Sequence, residues 1–117
     1  MISTVSLKKN HEFKRAYNNG KYAAGKHLVL YVLNNGGKQN RLGITTSKKI
    51  GNSVTRNRAR RLIKESYRLL ESSVAVGYDI VFVARISEKD TGLSLIKHEM
   101  EYLIGRLGLW SKEKNLD

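Results

Sequence analysis

The pattern of apolar and polar residues predicts strands that alternate with helices in the first half of the chain. Residues 10–18 carry apolar positions at helical spacing, and Asn10 can cap this short helix. The runs 26–33 and 41–47 are rich in β-branched and aromatic residues, which indicates two strands. Their short connecting loop favours antiparallel pairing, and residues 20–25 can add an edge strand.

The second half predicts a long helix, a buried strand and a final helix. The long helix begins at Ser53 or Thr55, either of which can cap it, and runs to about residue 72. The apolar run 80–84 is typical of a buried strand. The last helix starts near Asp90-Thr91-Gly92, and its apolar residues share one stripe of roughly 100°: Leu93, Ile96, Met100, Leu103, Ile104 and Leu107.

These elements give the order α-β-β-β-α-β-α, an α+β fold. Composition does not shift along the chain, so residues 1–117 are expected to form a single domain, an α/β sandwich in which helices cover one mixed sheet.

The absence of cysteine excludes disulfides and thiolate metal sites, and it suits a reducing compartment, so a cytoplasmic location is predicted. No segment approaches the roughly 18 apolar residues of a membrane span.

Charge changes this picture most. The sequence has 22 Lys and Arg against 10 Asp and Glu, a net charge of +12, which exceeds what solubility requires of a domain this size. Between residues 41 and 68, nine basic residues face a single acid, Glu65, so this segment carries +8 of the total. A polyanionic partner is therefore predicted.

The long helix separates its basic residues from its apolar ones. Helical projection places Arg56, Asn57, Arg60, Arg61, Lys64 and Arg68 within an arc of roughly 140°. An opposite arc of roughly 120°, expected to face the core, holds Ala59, Leu62, Ile63, Ser66, Leu69 and Leu70. Like charges four residues apart destabilise a helix, so a bound nucleic acid is the favoured explanation of the basic face.

Other functions fit the sequence less well. A solvated helix face normally mixes charge signs, and a membrane-binding helix needs more apolar bulk than this one has. A DNA-binding module needs a recognition helix after a short turn, which is missing. The histidines, His11, His27 and His98, lie far apart in sequence and are expected on the surface, so neither a catalytic nor a metal site is predicted in this chain.

Residues 47–65 read SKKIGNSVTRNRARRLIKE. This run resembles the signature of the protein subunit of bacterial ribonuclease P. The similarity extends through residues 7–13, 41–44 and 79–85, which covers nearly the whole chain. The resemblance implies a left-handed β-α-β crossover, contrary to the usual right-handed rule.

The resemblance also implies a function. The holoenzyme would be an endoribonuclease that removes the 5′ leader from precursor tRNA, with the catalytic centre and most of the Mg²⁺ coordination in a partner RNA and with no obligate protein partner. The residues that would bind the catalytic RNA are Arg56, Asn57, Arg58, Arg60, Arg61, Lys64 and Arg68. Those that would bind the leader of precursor tRNA are Phe13, Tyr17, Val29, Tyr31, Lys48 and Lys49.

Two points stay open at the level of sequence. Phe13 and Tyr31 fit a cleft that stacks unpaired bases, but their spacing also fits the core. A ribosomal or other structural-RNA-binding protein would share the basic helix without needing a leader cleft. The sequence also departs from the family pattern, which often has Phe at Tyr17 and usually Ser-Val at Thr45-Thr46.

Overall fold

The computed structural model describes residues 4–85 and 92–112. Short 3₁₀ turns at Lys48–Ile50 and Glu71–Ser73 flank the longest helix. The described strands and helices are β1 Thr4–Ser6, α1 Asn10–Asn19, β2 Lys21–Ala24, β3 Leu28–Asn34, β4 Asn40–Thr45, α2 Ser53–Leu70, β5 Tyr78–Ala84 and α3 Leu93–Arg106.

The predicted α+β class and element order are confirmed, and β1 is an additional strand at the N-terminal end. Three residues are too few to show an alternating pattern, so sequence analysis missed β1. Gly92 is the N-cap of α3, whereas Asp90 and Thr91, part of the predicted helix start, lie outside the described residues. The first turn of α1 begins at Asn10 with Lys9 as the N-cap, so Asn10 is not the cap.

The sheet has the strand order β1-β4-β5-β3-β2. The predicted antiparallel pairing of β3 with β4 is wrong, because β5 lies between them, parallel to β4 and antiparallel to β3. The side chains of Ile80, Val81 and Phe82 are almost completely buried on the two faces of β5. A strand that is apolar on both faces gains most burial at the centre of a sheet, so it displaces the simpler hairpin.

Among the described strands, β2 pairs with β3 alone and lies at one edge of the sheet, as predicted for residues 20–25. The segment β4-α2-β5 joins neighbouring parallel strands, so it is a crossover of the kind that the resemblance implies. Its left-handed sense stays a prediction.

Each face of the sheet carries its own helices and its own hydrophobic cluster. Helices α2 and α3 cover one face and contact each other. Helix α1 lies on the opposite face, where Ala16 packs with Leu7 and Val81. The main core therefore lies between the sheet and α2 and α3, and it includes Leu30, Ile63, Tyr67, Phe82, Met100 and Leu103.

The buried side of α2 is rotated slightly from the predicted arc. Leu69, expected in the core, is 44% exposed, whereas Tyr67 is completely buried about 20° from Arg56 on the helical projection. The hydroxyl group of Tyr67 lies 3.1 Å from that of Thr4 and 3.4 Å from the amide nitrogen of Asn40. These polar partners allow the whole tyrosine to be buried, and periodicity alone could not reveal them.

His27 corrects another expectation, because it is only 5% exposed. Its Nδ1 lies 3.0 Å from a carboxylate oxygen of Glu99, and the backbone N–H groups of His27 and Leu28 donate to the other oxygen. The residue therefore ties α3 to the start of β3. His11 and His98 are exposed, as predicted.

Candidate RNA-binding surfaces

The basic helix α2 begins just after a glycine with a positive φ angle. Gly51 has φ of +145°, a conformation that side chains rarely adopt, and it separates the 3₁₀ turn from the helix. The side chain of Asn52 then caps α2 by accepting a hydrogen bond of 3.0 Å from the N–H of Thr55. The N-cap is therefore Asn52, one residue before Ser53 and three before Thr55, the two predicted caps.

Most of the predicted basic side chains of α2 point to solvent. Arg56 is half-buried, because it lies on the side of the helix that Tyr67 shares. No acidic residue lies in the first turn. The exposed residues, called the basic face below, are Asn57, Arg58, Arg60, Arg61, Lys64 and Arg68.

Two residues contribute less charge to this surface than their numbers suggest. Arg68 pairs with Glu65, with guanidinium nitrogens 2.6 and 3.0 Å from the carboxylate oxygens. Arg41, counted within the basic segment, is bound to carboxylates on the other face of the sheet. The remaining positive charge is concentrated in the first three turns of α2 and on the exposed Lys48 and Lys49 just before it.

The opposite face of the sheet carries the residues of the predicted leader site, called the aromatic cleft below and defined by Phe13, Tyr17, Val29 and Tyr31. The ring centres of Phe13 and Tyr17 are 6.4 Å apart, and those of Tyr17 and Tyr31 are 4.9 Å apart in an edge-to-face arrangement. Val29 lies beside Val83 in the sheet register. The structure thus brings these four predicted leader-binding residues together.

Gly43 explains how Phe13 fits against the sheet. A Cβ atom at Gly43 would lie 2.5 Å from Cε1 of the Phe13 ring, so only glycine leaves room for the aromatic side chain over β4. Phe13 and Tyr31 pack against the small cluster of Leu7, Ala16 and Val81 but stay partly exposed. Each of the two aromatics therefore combines a core contact with partial exposure to solvent.

The cleft and the basic face meet at the end of β4. The hydroxyl group of Tyr17 lies 2.9 Å from that of Thr45. The guanidinium of Arg60 donates a 2.9 Å hydrogen bond to the hydroxyl of the next residue, Thr46. An RNA strand lying along the cleft would therefore reach the N-terminal half of α2.

A buried carboxylate holds α1 in position over the sheet. Asp79 is fully buried and accepts two hydrogen bonds of 2.7 Å from Arg41, one of 3.0 Å from Asn35 and one of 3.4 Å from Arg15 of α1. Arg41 also binds Glu12 of α1. Burial alone would raise the pKa of Asp79, but the hydrogen bonds and the charge of Arg41 outweigh it and lower that pKa.

Tyr22 of β2 is a further candidate that was not among the predicted leader-binding residues. Its ring centre lies 5.7 Å from that of Tyr31, and the residue is 66% exposed. The signal was present, because Tyr22 belongs to the predicted edge strand and its alternation could have placed it on the cleft face. The antiparallel register pairs Tyr22 directly with Tyr31.

Within residues 4–85 and 92–112, no group of three or more acidic, histidine or cysteine side chains is arranged to hold a metal ion. The helices in the same residues are too short or too polar to cross a membrane.

Comparison with known proteins gives consistent matches. Residues 1–108 match the family model described as ribonuclease P. The ribonuclease P protein component of Clostridioides difficile is 47% identical over 88% of this chain and 91% of the relative. That of Caldanaerobacter subterraneus subsp. tengcongensis is 45% identical over 94% of this chain and 95% of the relative. The Staphylococcus aureus RNase P protein structure has a TM-score of 0.81 at 34% identity, with 91% and 97% of the two chains covered.

Proposed function

This chain belongs to the family of ribonuclease P protein components, which take part in tRNA processing, and from that premise we propose a separate role for each of its two surfaces. The basic face of α2 binds the catalytic RNA of the holoenzyme. The aromatic cleft, together with Lys48 and Lys49, binds the 5′ leader of precursor tRNA. Residues 1–117 act as one RNA-binding domain in the cytoplasm, without an obligate protein partner.

The observation that carries the proposal is the outward direction of like charges on α2. Arg60 and Lys64, four residues apart, are both exposed, and the side of the helix with Ile63 and Tyr67 is buried. Facing cations repel one another in the free protein, and phosphate groups relieve that repulsion. Arginine adds a planar fork that can hold two phosphate oxygens, which suits a folded RNA.

The cleft supports leader binding through its chemistry. Partly exposed aromatic rings can stack unpaired bases at about 1–3 kcal/mol per base with little sequence preference. Lys48 and Lys49 are exposed in the turn between β4 and α2, where they can bind leader phosphates. A site of this kind accepts many different leaders, as a general tRNA-processing component must.

We place phosphodiester hydrolysis in the RNA partner, with Mg²⁺ held mainly by that RNA. The two surfaces offer guanidinium, ammonium, amide and aromatic groups, which bind phosphates and bases but do not act as general bases near neutral pH. The role of the chain is thus to hold the RNA and to orient the leader. A general structural-RNA-binding role is the alternative, and the cleft beside α2 favours the processing role over it.

Reconstitution tests the proposal. Cleavage of a precursor tRNA is measured with the cognate catalytic RNA alone, with the protein alone and with both, at low and at high Mg²⁺. We expect no cleavage by the protein alone and restored 5′ processing at low Mg²⁺ when both are present. Cleavage by RNA-free protein, or no effect of the protein on the RNA at low Mg²⁺, would contradict the proposal.

A further inference from the structure

We infer that Tyr22 extends the leader-binding cleft onto the edge strand β2 and stacks a nucleotide several positions upstream of the cleavage site. The contribution of Tyr22 would then depend on the length of the leader. This inference rests on the proposed function, because it adds a binding position to the same cleft.

The rings of Tyr17, Tyr31 and Tyr22 form a continuous row across the sheet. Tyr31 lies between the other two, with ring centres 4.9 Å from Tyr17 and 5.7 Å from Tyr22. The Tyr22 and Tyr31 rings are tilted by only 30°, whereas Tyr17 meets Tyr31 edge-on at 73°. The ring of Tyr22 is therefore the most exposed of the three and the closest to parallel with its neighbour, Tyr31.

An exposed tyrosine on an edge strand does not by itself need a functional explanation, since tyrosine favours strands and single apolar side chains are common on surfaces. Tyr102 of α3 is a residue of this kind, 58% exposed on the opposite side of the sheet. Tyr22 differs from Tyr102 because its ring contacts Tyr31 of the cleft. Continuity with the cleft is what supports a shared ligand.

The sheet register gives the length of the extended cleft. Tyr22 pairs with Tyr31, Tyr31 with Val81, and Val81 with Gly43, the residue that Phe13 covers. Three strand spacings of about 4.8 Å place Tyr22 roughly 14 Å from Gly43. At roughly 3.4 Å per stacked nucleotide, that distance corresponds to about four nucleotides.

The direction of the leader follows from the position of α2. Arg60 contacts Thr46 at the β4 end of the cleft, whereas Tyr22 lies on β2 at the other edge of the sheet. If the catalytic RNA sits on the basic face, the cleavage site is close to β4. Tyr22 would then meet nucleotides far from the cleavage site, which short leaders do not have.

The test measures the affinity of the reconstituted holoenzyme for mature tRNA and for precursors with leaders of two and of eight nucleotides. The variants are Tyr22→Ala, Tyr22→Phe, which keeps the ring, and Tyr102→Ala as a matched exposed tyrosine. We expect Tyr22→Ala to lower affinity for the eight-nucleotide precursor about fivefold, the lower end of base stacking, and to leave the other two RNAs unchanged. Tyr22→Phe and Tyr102→Ala should bind all three like the wild type.

A second measurement separates loss of the ring from poor folding of the alanine variant, because its expected effect is confined to one leader position. A single abasic nucleotide is placed at each leader position in turn, and binding to the wild-type protein and to Tyr22→Phe is compared with binding to Tyr22→Ala. One upstream position should lose affinity with the two proteins that keep the ring and should show no further loss with Tyr22→Ala. Equal losses in all three proteins at every position would overturn the inference.

The outcomes separate this inference from the proposed function. If the wild-type holoenzyme does not prefer precursor over mature tRNA, leader binding itself fails. If the wild type prefers long leaders and Tyr22→Ala does so equally, only the role of Tyr22 is overturned. A loss of affinity that is the same for mature tRNA and both precursors would also overturn it.

Discussion

The hydroxyl groups of Tyr17 and Thr45 lie 2.9 Å apart, so that α1 is joined to the end of β4 where the cleft meets the basic face. These two positions are also where the sequence departs from the pattern that the resemblance implies. The hydrogen bond needs a hydroxyl on both residues, since Phe at position 17 would have no polar partner to offer Thr45. The departure at Tyr17 therefore adds a local contact and leaves the aromatic ring in place.

Removing the Tyr17 hydroxyl separates this contact from stacking. In Tyr17→Phe we expect the free energy of unfolding to fall by about 1 kcal/mol, the value of one hydrogen bond, because the ring is kept. Affinity for precursor tRNA should stay within about twofold of the wild type. Urea unfolding and precursor binding measure the two quantities, and a large loss of binding would assign the hydroxyl itself a role in leader recognition.

The salt dependence of RNA binding tests the basic face. Replacing Arg60 and Arg61 with alanine should weaken binding to the catalytic RNA, because fewer phosphates are then neutralised. The dependence of the affinity on salt should also flatten, by about one unit of slope for each phosphate that the variant no longer binds. Titrations of the catalytic RNA at several salt concentrations measure both effects.

A matched control is Arg106→Ala with Lys112→Ala, which removes the same charge from exposed positions on or after α3. The control should keep a slope close to that of the wild type. If both double variants flatten the slope equally, net charge rather than the face of α2 governs binding.

Asp79→Asn tests how α1 is held over the sheet. The amide would leave Arg41 without its buried carboxylate, so we expect a loss of about 3 kcal/mol in the free energy of unfolding. Glu65→Gln is the control, because it removes a carboxylate from the half-exposed pair with Arg68 and should lower the free energy of unfolding much less than Asp79→Asn does. Similar small losses in both variants would mean that the buried network contributes little.

The pH dependence of stability follows from the lowered pKa of Asp79. A carboxylate whose pKa is lower in the folded state stabilises the protein above its unfolded value of about 3.9, and that contribution is lost as the pH falls through the folded pKa. The free energy of unfolding of the wild type should therefore decrease below about pH 4 more steeply than that of Asp79→Asn. Parallel curves for the two proteins between about pH 3 and 7 would contradict this assignment.

The sequence predicted the elements well because their signals are local. The basic side of α2 is visible within a few helical turns of sequence. The apolar run of β5 is visible within a few residues. The pairing of strands is not local, and β5 enters between β3 and β4 because it is buried on both faces. The pattern of a single strand cannot show which neighbour will bury it.

The site was predictable in composition but not in arrangement. The resemblance identified Phe13 and Tyr31, and the structure adds that each packs against the core and stays partly exposed. Alternation along β2 could have placed Tyr22 on the cleft face, but its contact with Tyr31 depends on the register of two strands. Arg41 was counted in the basic segment 41–68 because sequence distance does not reveal its pairing with Asp79 of the neighbouring strand.

The central claim is that the cleft binds the leader while α2 binds the catalytic RNA. Its most direct test is the ratio of holoenzyme affinities for precursor and mature tRNA in Phe13→Ala and Tyr31→Ala, with thermal melts to confirm that the variants are folded. We expect this ratio to fall at least about fivefold, while affinity for mature tRNA and for the catalytic RNA is unchanged. An equal loss of affinity for precursor and mature tRNA would show that these aromatics serve the core alone and would contradict leader binding in the cleft.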